Sequence, residues 1–117
     1  MSASKVFLGY DQKALDDAYD QAVYAPNRDQ VLARIASASA LVRERLGEPL
    51  RLAYGPADIE KLDVFKTAKP AAPVNVFIHG GAWLRGLARD YAFPAEMFVA
   101  AGAHFVAIDF SNVSETG

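Results

Sequence analysis

The chain of 117 residues contains no cysteine. This absence excludes disulfide bonds, thiolate catalysis and metal sites built on cysteine. The two histidines, His79 and His104, are far apart and lack the H-E-x-x-H spacing of a zinc site. We therefore expect neither a metal ion nor a cofactor.

An excess of charge of one sign and a long apolar run are also missing. Twelve basic and fourteen acidic residues give a net charge of -2, so we expect no nucleic-acid or membrane partner. No stretch approaches the ~20 apolar residues of a spanning helix, and the apolar run at Val6–Leu8 is too short for a signal peptide. We expect a cytoplasmic protein.

The composition that remains is that of a folded protein, with 52% hydrophobic and 22% charged residues. Residues 1–48 are predicted to be helical. Asp11 caps a first helix that ends at Pro26, and Asn27 with Gln30 opens a longer second helix that ends at Gly47. Each helix has an apolar stripe: Leu15, Ala18, Tyr19 and Ala22 in the first, and Val31, Ile35, Val42 and Leu46 in the second.

From residue 49 the pattern indicates strands. Residues 50–54 and 62–67 predict a β-hairpin, and the apolar run 74–78 predicts a strand covered on both faces. A helix over 91–101 and a strand over 104–110 complete a parallel βαβ unit. The fold class is therefore α/β, with residues 1–117 in one domain: a helical lead-in over 1–48 and a sheet portion over 49–117.

The strand at 74–78 runs directly into the sequence His79-Gly80-Gly81-Ala82-Trp83. Glycines after a strand let a ligand approach the backbone closely. Backbone N–H groups about 3 Å from a developing oxyanion lower the barrier to acyl transfer by roughly 3 kcal/mol each. We interpret Gly80, Gly81 and Ala82 as oxyanion-hole donors; the alternative is a tight turn without a catalytic role.

The neighbouring side chains receive lesser roles. We expect His79 to position the loop rather than to act as a base, and His104 to be a structural or surface histidine. Trp83 either lines the substrate pocket or fills core beneath the loop. Asp109 is predicted to have a capping or loop-anchoring role at the end of its strand, and neither Ser111 nor Ser114 is assigned as a nucleophile.

With these residues identified, the chain resembles the α/β-hydrolase superfamily, in particular its esterase and arylformamidase (kynurenine formamidase) group. The resemblance rests on the H-G-G-x-W signature at residues 79–83, with weaker likenesses at 15–27 and at Tyr54-Gly55-Pro56. Where many relatives have a Tyr-Arg-Leu-type sequence, this chain has Asp109 and Phe110 followed by residues 111–114. The resemblance implies an N-terminal portion of that fold: an opening hairpin plus a parallel βαβ unit, preceded by two helices.

The resemblance implies a serine-type hydrolase of small carboxylic esters or aryl formamides that works through an acyl-enzyme. No G-x-S-x-G nucleophile motif occurs in the sequence, so the nucleophile, acid and base are expected on a C-terminal companion segment. That segment would pair with the free edge of the 74–78 strand, whose bare backbone could also support homo-oligomers. The alternative function is a non-catalytic binding or assembly module; a phosphate-binding module is disfavoured because no G-x-G-x-x-G or P-loop is present.

Overall fold

The computed structural model describes residues 4–113, and its contacts divide the chain into two compact units on either side of the Leu32–Ala33 bond. None of the helices in this described range is both long enough and apolar enough to cross a membrane. The single domain expected for residues 1–117 stays a prediction.

The first unit contains a small antiparallel hairpin that sequence analysis missed, formed by β1 (Lys5–Phe7) and β2 (Tyr10–Asp11). Helix α1 (Gln12–Tyr19) follows directly, and the Asp11 side chain caps it by accepting the Ala14 N–H at 2.9 Å. The predicted first helix does not continue to Pro26. Asp20 accepts the Ala22 N–H at 2.9 Å and thereby starts a separate short helix, α2 (Gln21–Tyr24).

The long helix α3 (Arg28–Leu46) begins in the first unit and ends in the second, as the apolar stripe predicts. The second unit then adds a mixed four-stranded sheet in the order β3-β4-β6-β5. Its β5 and β6 strands are parallel, and its other pairs are antiparallel. The elements are β3 (Leu50–Ala53), β4 (Lys61–Phe65), β5 (Val74–Phe77), a 3-10 helix (Ala88–Tyr91), α4 (Ala95–Ala100) and β6 (His104–Ile108).

The hydrophobic core lies against one face of this sheet, which we call the inner face. Phe65 and Phe105 are paired in register across β4 and β6, with ring centroids 6.3 Å apart. Phe98 of α4 stacks on Phe105 at 5.7 Å. The buried cluster comprises Val42, Phe65, Ala88, Ala92, Ala95, Phe105 and Ala107.

Two sequence predictions about the βαβ unit are wrong in detail. The helix over 91–101 is shorter, because the chain enters it through the 3-10 turn and Pro94, and Gly102 at φ +85° ends it. The 74–78 strand is not covered on both faces: Val74, Val76 and Ile78 are 58%, 52% and 59% exposed. The reason is that the described helices that contact the sheet pack on its inner face.

Candidate functional site

The loop that follows β5 has an unusual backbone. Gly81, Ala82 and Trp83 have φ values of +135°, +55° and +61°. Left-handed backbone costs a non-glycine residue about 1–2 kcal/mol, so two such residues in succession persist only where the surroundings hold them. Successive N–H groups in such conformations can form a concave anion-binding surface.

Several backbone N–H groups of this loop lack a hydrogen-bond partner in the part of the chain that the structure describes. Within residues 4–113, those of Gly80, Gly81 and Ala82 donate to no other group, whereas the Leu84 N–H donates to the Gly81 carbonyl at 3.0 Å. Gly80 and Ala82 are exposed and Gly81 is half-buried. Three successive free donors therefore lie at the surface at the carboxyl end of β5.

His79 is the buried residue of the motif, only 5% exposed. Its ring stacks on Tyr91 and on Phe110, at centroid distances of 5.1 and 4.5 Å. Its Nδ1 lies 2.8 Å from the Gly80 carbonyl oxygen, so Nδ1 carries the proton and donates it. In the described part of the chain, Nε2 is buried without a hydrogen-bond partner. This environment fits a loop-positioning role for His79, which stays a prediction.

Two glycines allow the backbone conformation of this loop. A Cβ on Gly81 would overlap the Arg85 carbonyl oxygen, and a Cβ on Gly86 would lie 2.6 Å from His79 Nδ1. Gly86 also has a φ of +109°, which side chains rarely adopt. The loop conformation therefore depends on the absence of side chains at both positions.

Trp83 lies on the surface beside this loop. It is 61% exposed and fills no core among the described residues, and its contact with a substrate stays a prediction. Its ring lies 5.2 Å from that of Phe110, and its carbonyl accepts the Val113 N–H at 2.9 Å. The segment after β6 thus runs back along the loop; Ser111 within it is exposed, and Ser114 lies outside the described residues.

Asp109 anchors the segments around the loop, as the sequence predicts. Its buried carboxylate accepts the Ala88 N–H at 2.7 Å and a hydrogen bond from Arg51 at 2.7 Å. Arg51 also donates to the buried Asp63 at 2.6 Å. The hydrogen bond to Asp109 raises the pKa of Arg51 above its usual value. The pKa of Tyr54 is raised chiefly by desolvation of its hydroxyl, which donates to the Asp109 carbonyl oxygen at 2.6 Å, although the residue as a whole is 47% exposed.

This network was not predicted from the sequence, because the register of the strands determines which charged residues become neighbours. Arg51 and Asp63 are cross-strand neighbours in β3 and β4, and Asp63 is opposite Ala107 in β6. The only sequence signal was a pair of opposite charges on two adjacent predicted strands. The network borders a cleft of about 370 Å³ whose lining is largely ionic: Arg43, Glu48, Pro49, Arg51, Asp63, Leu87, Arg89 and Asp109.

Other catalytic groups are not assembled in the described range. Of the two roles expected for His104, structural or surface, the structure supports the first, since its Nδ1 accepts the Thr67 N–H at 3.0 Å. No serine hydroxyl within residues 4–113 hydrogen-bonds a histidine, and no group of three potential metal ligands occurs there. The loop at 79–83 supplies donors for an anion but no nucleophile.

Comparison with known proteins finds a similar solved structure. No family model matches the chain, and no curated protein matches it. A solved structure from Silicibacter sp. TM1040, described as a putative thioesterase, is similar with a TM-score of 0.75 and 27% sequence identity. The match covers 86% of this chain and 39% of that one, so this chain spans about two-fifths of the solved protein's length.

These findings correct the family expectation. Membership of the α/β-hydrolase superfamily, in its esterase and arylformamidase group, is wrong: the matched protein is described as a thioesterase, and no family model supports the expected one. The observed fold is a mixed α/β arrangement around a mixed sheet. The five-residue motif alone was too short to specify a family.

Proposed function

We propose that this chain is the oxyanion-binding part of a hydrolase that cleaves small acyl esters or thioesters. The main observation in support is the loop after β5, where Gly80, Gly81 and Ala82 present successive free N–H donors. Hydrolysis of both substrate types passes through a tetrahedral intermediate whose former carbonyl oxygen becomes negative. Donors fixed in advance around that oxygen stabilise the transition state more than the substrate.

The likeness to a protein described as a thioesterase supports this substrate class, because thioester and ester hydrolysis need the same oxyanion stabilisation. Trp83, exposed beside the donors, would contact the acyl or leaving group. The nucleophile would come from a companion segment, since the loop itself contains none. His79 would hold the loop through its hydrogen bond to Gly80.

A Gly81→Ala substitution tests the role of the loop. The added Cβ would overlap the Arg85 carbonyl and displace the donors, so kcat for a short aryl ester and an aryl thioester should fall about 100-fold or more. KM should change little, because the donors act mainly in the transition state. The assay uses protein purified from the organism whose genome encodes this chain.

Gly102→Ala is the matched control. Gly102 also has a positive φ, of +85°, but its Cβ would meet only the flexible Lys69 side chain, away from the loop. It should lower stability by about 1 kcal/mol and leave kcat unchanged. Unchanged kcat in the Gly81→Ala protein, or equal changes in kcat and KM, would contradict the proposed function.

A further inference from the structure

The face of the sheet opposite the core, which we call the outer face, is aliphatic apart from His104, which lies opposite Val74. Cross-strand neighbours in register project to the same face. Their rows are Leu50-Val64-Val106-Val76 and Leu52-Leu62-Ile108, to which β5 and the residue after it add Val74 and Ile78. Five of these residues are about half exposed, at 49–59%. They lie on β3, on β5 and directly after β5.

The outer face continues to the free edge of β5. The sheet order places β5 last, with one side paired to β6 and the other unpaired in the described part of the chain. Edge strands commonly carry charges that discourage pairing. The opposite edge strand, β3, contains Arg51, whereas Val74–Phe77 contains no charge.

We propose that a further polypeptide segment docks on this surface, with one uncharged β-strand along the β5 edge and one amphipathic helix over the outer face. This inference rests on the proposed function, because the same segment would bring the nucleophile. A strand satisfies the free N–H and C=O groups of β5, and an apolar helix face covers aliphatic side chains.

The comparison with the solved structure favours such a segment over other occupants. This fold matches only 39% of that chain, so about three-fifths of its polypeptide lies outside the match. In that protein the same sheet therefore occurs together with more chain than is present here. A lipid surface would leave the edge N–H and C=O groups of β5 without partners.

The absence of cysteine makes a direct test available, since one introduced thiol is unique in the chain. Val76→Cys and Ile78→Cys place it on the outer face at β5. Met97→Cys on α4 is the control, because Met97 is 64% exposed and lies on another surface. Each variant is expressed from the native gene in its own organism. The purified protein is labelled with a maleimide before and after denaturation.

Docking predicts that the thiols at positions 76 and 78 react at least tenfold more slowly than the thiol at 97, and that denaturation removes the difference. A benzophenone attached at position 78 should form one cross-link, to one contiguous segment outside residues 1–117. Equal labelling at the three positions, an adduct of twice the chain mass, or a mixture of adducts would overturn the proposal. The doubled mass would assign the surface to a second copy.

These measurements need no turnover, so the two proposals fail separately. Free labelling at positions 76 and 78 together with a large kcat loss in Gly81→Ala would reject the docking segment alone. Protected thiols together with a kinetically silent Gly81→Ala would reject the oxyanion role alone.

Discussion

At the scale of single residues, the structure shows that side chains around the glycine loop act mainly by fixing backbone. His79 holds Gly80 through Nδ1, and Phe110 packs on both His79 and Trp83. Asp109 holds the N–H of Ala88, the first residue of the 3-10 helix. The site is therefore built from backbone donors whose positions depend on a few buried or stacked side chains.

Asp109→Ala should be strongly destabilising. It leaves the Ala88 N–H unpaired and Arg51 without one of its two carboxylates, so the free energy of unfolding should fall by about 3 kcal/mol. Asp109→Asn keeps an oxygen for Ala88 and should cost less, about 1–2 kcal/mol. Urea denaturation compares the two; equal, small losses would show that the network is not needed for stability.

Tyr54 should make stability depend on alkaline pH. Its folded-state pKa is raised, first by desolvation of the hydroxyl and then by the charges of Glu60 and Asp109, so the folded state favours the neutral phenol. This contribution is complete below the unfolded pKa of about 10 and is lost as pH rises through the raised folded pKa. The wild type should lose more stability between pH 9 and pH 11.5 than Tyr54→Phe.

Tyr19→Phe is the control for this measurement, because Tyr19 is 80% exposed on α1. Its alkaline loss should equal that of the wild type. A Tyr54→Phe protein with the same alkaline loss as the wild type would show that Tyr54 does not carry the effect.

At the scale of elements, one buried hydroxyl joins α3 to the turn before α4. Ser39 Oγ donates to the Asp90 carbonyl at 2.7 Å and accepts the Phe93 N–H at 3.0 Å. Ser39→Ala should lower stability by about 2 kcal/mol, since both backbone groups lose their partner. Ser37→Ala on the exposed side of α3 should change it by less than about 0.5 kcal/mol; equal effects on thermal unfolding would contradict this.

The elements themselves were predictable where local chemistry specifies them. The Asp11 cap, the stripe ending at Gly47 and the strand before His79 all lie where the sequence places them. The break at Asp20 was missed because a second cap competes with helix continuation. The prediction that β5 is covered on both faces was wrong. A run such as Val74–Phe77 has the same composition whether or not the segments that cover it are present.

At the scale of the whole molecule, the described sheet is covered on one face only. The inner face carries the aromatic core, while the outer face and the β5 edge remain open. The candidate donors lie in the loop that follows β5, the strand at that open edge. A segment that docks there would complete the sheet and reach the donors together, which joins the two proposals.

Backbone NMR titration of the purified protein with methylphosphonate, a small tetrahedral anion, tests the central claim most directly. We predict that the amide signals of Gly80, Gly81 and Ala82 shift together to saturation, and that Gly81→Ala abolishes these shifts. The claim would be contradicted if those amides stayed unmoved, or if the shifts appeared instead around Arg43, Arg51 and Arg89 in the ionic cleft.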